Sequence, residues 1–119
     1  MHDLVIRNGN VVDGSGAPAY KADVAIKGNR IVEIGKVTGS AREEIDAEGK
    51  VVTPGFIDPH THFDAQLLWD GCAKPALSHG VTTIVSGNCS LSLAPLKAKH
   101  RMKLVGMFNQ IEEMPLKAF

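Results

Sequence analysis

Short β-branched runs separated by glycine, asparagine and aspartate fill the chain from Asp3 to Val52, and they predict strands joined by tight turns. In LVIRNGNVVDG the apolar residues flank Asn8-Gly9, the dipeptide best suited to a two-residue hairpin because both central positions need positive φ. A second hairpin is expected at Gly28-Asn29, between Val24-Ala25-Ile26 and Ile31-Val32-Glu33-Ile34. A third turn is expected at Glu48-Gly49, ahead of Val51-Val52. Together these runs predict about six strands, the size of a small antiparallel sheet.

After Thr53-Pro54-Gly55 the texture changes. Phe56-Ile57-Asp58 and Thr82-Thr83-Ile84-Val85 read as apolar strand cores, with a short helix over Pro75 to His79 between them. Proline at its start and Gly80 just past its end give that helix the expected polarity. Farther on, Leu104, Met107, Phe108 and Ile111 recur at helical spacing until Pro115. Alternation of strand and helix predicts parallel strands with crossovers. Two such units do not close a (β/α)8 barrel, which takes about 250 residues, so the 119-residue chain is expected to be truncated.

Composition removes several classes. At 44% hydrophobic and 22% charged residues the chain is built to bury a core rather than to stay disordered. Thirteen basic residues balance thirteen acidic ones, which gives no electrostatic footprint for nucleic acid or an anionic membrane. No apolar run reaches the length of a membrane span and no secretory signal is evident at MHDLVIRNGN, so a soluble, cytoplasmic protein is expected. Cys72 and Cys89 are too few for a disulfide framework, and in a reducing compartment they stay thiols.

Two pieces of chemistry invite a reading. Gly14, Gly16 and Ala19 fit the spacing of a dinucleotide-binding loop, but Tyr20 to Ile26 continues as a strand where that motif needs a helix. A turn is the expectation there. In PGFIDPHTHFD, by contrast, His60 and His62 stand at i and i+2 of a strand, so both imidazoles face one side, away from Ile57 and Thr61. Pro59 places the pair near the strand's end. The next strand ends in Gly87-Asn88-Cys89, which brings a thiol to the same rim of a parallel sheet. Two imidazoles and a thiolate suit zinc, with further ligands expected from strands that the chain does not contain.

These same residues carry a resemblance. VVTPGFIDPHTH resembles the first barrel strand of the amidohydrolase superfamily, whose His-x-His pair ligates one or two divalent metals. HTHFDAQLLWDG and HGVTTIVSGNCSLSLAP narrow it, resembling the N-acyl-D-amino-acid deacylases, or D-aminoacylases, where the cysteine of the Gly-Asn-Cys segment is a metal ligand. DLVIRNGNVVDGSG is similar to that family's N-terminal strands, and Ser90 departs from it at a position more often glycine. The resemblance implies an α/β chain: residues 1–53 as N-terminal strands of a small β-sandwich, and residues 54–119 as the first two βα units of an incomplete barrel. It implies metal-dependent hydrolysis of the amide bond of a small-molecule N-acyl-D-amino acid, with Zn2+ held by His60, His62 and Cys89. The general acid/base aspartate is then expected beyond residue 119, and the 119 residues alone are expected to be inactive.

Other residues have two readings each. Asp58 is either an orienter of a ligand histidine or the closure of a local turn. Asp64 and Gln66 either line a pocket or belong to a solvated loop, and Trp69 with Leu67 and Leu68 either covers an acyl group or packs on the core. His79, at a helix end, reads as structural. Lys97, Lys99, His100, Arg101 and Lys103 read as a solvated basic face rather than an anion site. Competing functions are a hydantoinase-like cyclic-amide hydrolase or a deaminase, which do not need a thiol at position 89. A cysteine hydrolase with Cys89 as nucleophile and His60 as base is another. Outside enzymes stands a complete, small β-rich binding domain.

Overall fold

The computed structural model describes residues 1–118, which form two compact units dividing after Pro54. The first holds strands β1 (His2–Val11), β2 (Tyr20–Lys27), β3 (Arg30–Gly35), β4 (Ala41–Asp46) and β5 (Val51–Val52). They make one five-stranded sheet in the order β3-β2-β1-β4, with β5 also paired to β1. The Gly28-Asn29 hairpin forms as expected, joining antiparallel β2 and β3 with Gly28 at φ 60. Gly14 and Gly16 lie in the β1–β2 connection at φ 82 and 85, and the chain there enters a strand, as the turn reading requires.

Two expectations fail in this unit. Asn8-Gly9 is no hairpin: β1 runs through it, and the register against β2 slips between Ile6 and Gly9 as a bulge. Asn8 does take a positive φ of 60, but its polar groups are used at long range. Its backbone N–H donates to Asp23 Oδ1 at 2.9 Å and its side-chain amide to Asp46 Oδ1 at 3.0 Å. Gly9 is needed for close approach, since a Cβ there would meet Val52 Cγ2 at 2.6 Å. Nor is the sheet wholly antiparallel, because β4 and β5 both run parallel to β1. Val5 and Ala25, both 0% exposed, pack with Val37 on one face; Val11, Ala22 and Val24 form a second cluster.

Arg7 ties this unit together. Its guanidinium donates to both carboxylate oxygens of Glu44 (2.7 and 3.1 Å), to Asp23 (3.2 Å) and to the carbonyls of Val37 (2.6 Å) and Gly39 (3.1 Å). The Asn8 N–H, with Arg7 assisting, holds the Asp23 carboxyl below its ordinary value, and Arg7 does the same for Glu44. Asp46 is lowered by the Asn8 amide and Asp13 by the Ser15 hydroxyl. Carboxyls depressed on folding stabilise the native state above their unfolded pKa and stop doing so as pH falls through the folded values. The melting temperature of this unit is therefore expected to be flat from pH ~7 to ~5 and to drop below pH ~4. A circular-dichroism melt as stable at pH ~3 as at pH ~7 would contradict this.

The second unit is built on β6 (Phe56–Thr61) and β7 (Val81–Ser86), a parallel pair as expected, with helices α1 (Lys74–Ser78) and α2 (Arg101–Ile111). Pro75 lies in the first turn of α1, and Gly80, at φ 84, ends it. The Gly80 carbonyl then accepts the Phe56 N–H at 2.9 Å, which fixes the start of β6 beside β7. Gly55 allows this closeness: an added Cβ would sit 2.7 Å from the Cβ of Thr82. The expected apolar core of β6 is not buried. Phe56 is 59% and Ile57 66% exposed, because a two-stranded pair leaves much of its surface without cover. The core of this unit holds Phe108 of α2, at 1% exposure, with Ala65, Ala73 and Ala76. Fold class is thus mixed α/β.

Candidate metal centre

The carboxyl ends of β6 and β7 carry the chemistry. Thr61 turns inward and is 4% exposed, while His60 and His62, one residue to either side, stay accessible, as the alternation of a strand dictates. Their rings stack with centroids 5.7 Å apart and planes 19° from parallel. Cys89, half-buried just past β7, completes the group: the donor atoms of His60, His62 and Cys89 all lie within 4.8 Å of one another. Tetrahedral zinc, with bonds of about 2.0 Å to nitrogen and 2.3 Å to sulfur, spaces its ligands by roughly 3.3 to 3.8 Å. The widest pair needs to close by only about 1 Å, within reach of a small side-chain rotation. Neutral imidazoles and a thiol are also the donor types that borderline and soft metals prefer, so the residues fit zinc.

Hydrogen bonds hold the two strand ends in place. The Asn88 side-chain amide donates to the Pro59 carbonyl at 2.8 Å, linking the residue before Cys89 to the one before His60. Asp64 Oδ1 accepts from the Ser92 hydroxyl at 3.2 Å and from the Leu93 N–H at 3.3 Å, which anchors the loop after Cys89. Its Oδ2 is buried and has no hydrogen-bond partner among the described residues. Ser90 sits at φ 73, a left-handed conformation that glycine adopts without a steric penalty.

Of the residues with two readings, Asp58 closes a local turn, its Oδ1 accepting the His60 N–H at 3.1 Å. The Gln66 amide donates to Asp70 at 3.4 Å. Trp69 is 58% exposed and does not pack into the core; it lines an open groove of about 560 Å³ with Glu112 and Met114. Lys97, Lys99, His100, Arg101 and Lys103 are all exposed, in keeping with a solvated face. One partner of the centre was not foreseen. Glu112, at the end of α2, pairs through Oε1 with Nδ1 of His62.

The sequence signature of the amidohydrolase family matches residues 43–113, more than half of the chain. This chain belongs to the amidohydrolase family. Over 95 residues it is 47% identical to a D-aminoacylase of Alcaligenes xylosoxydans xylosoxydans, covering 79% of this chain and 20% of that protein. Among solved structures of amidohydrolases, a D-aminoacylase with a binuclear metal centre superposes with a TM-score of 0.76 at 50% identity, over 81% of this chain and 20% of that one. N-acyl-D-glutamate deacylase from Bordetella bronchiseptica, in complex with zinc and a phosphonate that mimics the tetrahedral intermediate, gives a TM-score of 0.76 at 40% identity, over 82% and 21%. The chain thus spans about 20% of the length of these relatives. No helix among the described residues is long and apolar enough to cross a membrane.

Proposed function

We propose that this amidohydrolase chain carries the opening part of the metal shell of an enzyme that hydrolyses N-acyl-D-amino acids to a carboxylate and a D-amino acid. His60, His62 and Cys89 are the ligands, and zinc, as one or two ions, is the cofactor. The observation that carries the reading is the convergence of two imidazoles and a thiol at one rim of a parallel strand pair. Likeness to D-aminoacylase and to a zinc-bound N-acyl-D-glutamate deacylase supports the substrate class. A thiol among the donors favours deacylases over the cyclic-amide hydrolases and deaminases considered above. On this reading residues 1–53 are strands of a β-sandwich and residues 54–119 begin a (β/α)8 barrel, with β6 and β7 as its first two strands. Their exposed apolar faces suit burial by further strands and helices. Two free thiols suit a reducing, cytoplasmic setting, and the balanced charge suits a small-molecule substrate rather than nucleic acid or a membrane.

When bound, a divalent ion supplies Lewis acidity toward an acyl carbonyl and lowers the pKa of water. The protein's part is to present the donors. Stacked imidazoles share one approach direction, Asn88 holds β6 and β7 at matched height, and Asp64 keeps the loop after Cys89 from drifting. Proton delivery to the leaving amine is not assigned to any of these residues, so the 119 residues are expected to bind zinc without turnover. Zinc titration of the purified chain should show uptake reversed by chelator, and N-acyl-D-methionine should remain intact. Failure to take up zinc would overturn the ligand set. Hydrolysis lost on thiol alkylation but indifferent to chelator would favour a cysteine hydrolase instead.

A further inference from the structure

We propose that Glu112 is a positioning residue for His62, accepting a hydrogen bond from Nδ1–H so that the lone pair of Nε2 is turned toward the metal. A neutral imidazole has one N–H and one lone pair, and the partner of the N–H decides which nitrogen remains free to ligate. In metal sites, a carboxylate on the far nitrogen of a ligand histidine fixes both tautomer and ring orientation. Here Oε1 of Glu112 pairs with Nδ1 of His62, which leaves only Nε2 of that ring for coordination. The inference rests on the metal reading of His60, His62 and Cys89.

Local structure shows a carboxylate held in place against its own helix. Glu112 follows the last residue of α2 and its N–H donates to the Phe108 carbonyl at 2.9 Å, so its charge stands at the negative end of the helix dipole. A carboxylate there is unfavourable by the helix alone, and a hydrogen-bonded imidazole offsets it. The next residue, Glu113, takes a left-handed φ of 54, and the Asn109 amide donates to the Met114 carbonyl at 2.6 Å. These bonds turn the chain sharply at the helix end and hold Glu112 where it faces the ring. The two side chains are 24% and 39% exposed, so the pair is partly shielded from water while one side of His62 stays open.

The test uses the full chain, with Glu112→Ala removing the acceptor and Glu112→Gln keeping its size without the charge. Zinc affinity is read by competition with a chromophoric chelator, and the His62 tautomer by nitrogen NMR of the metal-free protein. Wild type is expected to hold its proton on Nδ1. Glu112→Ala should shift it to Nε2 and weaken zinc binding by about 10- to 100-fold, with Glu112→Gln between the two. Zinc affinity within twofold of wild type in both variants would overturn the proposal, as would an unchanged tautomer in Glu112→Ala. If wild type binds no zinc yet the tautomer still switches, the metal reading fails and the orientation of His62 by Glu112 stands.

Discussion

Replacing Cys89 by alanine lowers the zinc affinity of the chain by more than about 100-fold, beyond what loss of an outer carboxylate causes, while the metal-free protein unfolds as before. The first half follows from the donor set. Cys89 is the soft ligand of the group, and without it two imidazoles on one strand hold the ion from one side only. The second half follows from how little the thiol does elsewhere: among the described residues its hydrogen bond is a long contact of 3.9 Å to the Leu91 carbonyl, and the residue is half-buried. A change in unfolding free energy within about 0.5 kcal/mol is expected. Isothermal titration with zinc and a denaturant curve on the same variant check both halves. Undiminished zinc binding would remove the thiol from the site and return the choice among amidohydrolase chemistries to cyclic amides and deamination.

Phe108→Ala is expected to have the largest effect on stability, about 3 to 5 kcal/mol. Phe108 is 1% exposed and, with Val5, one of the two largest fully buried side chains among the described residues. At about 0.05 to 0.15 kcal/mol per residue, a unit of this size is stable by only some 3 to 10 kcal/mol, so the loss amounts to a large fraction of the whole. Phe108 also lies one helical turn before Glu112, and its carbonyl accepts the Glu112 N–H. The variant should therefore lose α2 and zinc affinity together. Helical ellipticity followed through a urea titration decides it: a cost under about 1 kcal/mol would mean that α2 is held by something other than its aromatic anchor.

How much of this was legible in the sequence depends on how far apart the interacting residues lie. His60 and His62 follow from the two-residue period of a strand, and Cys89 from its position just after another, so the centre is readable from local pattern once parallel pairing is assumed. Gly28-Asn29 makes a hairpin because both flanking strands are adjacent in the chain. Asn8-Gly9 has the same local chemistry and the opposite outcome. Its partners, Asp23 and Asp46, lie 15 and 38 residues away, and bonds to them hold β1 straight through a dipeptide that would otherwise turn. The parallel alignment of β4 and β5 on β1 is non-local in the same sense. Glu112 lies 50 residues from His62, on an element whose apolar spacing gives its existence but not where its end points. Phe56 and Ile57, which read as a strand core, stand exposed, because apolar character gives a preference for cover and does not supply it.

The placement of β1 has a consequence for the order of assembly. It is the central strand, bonded to β2 on one side and to β4 and β5 on the other. During translation β1 therefore waits, with one edge open, until residues as late as Val52 have been made. A substitution that breaks β1 would leave the later strands with no template to dock on.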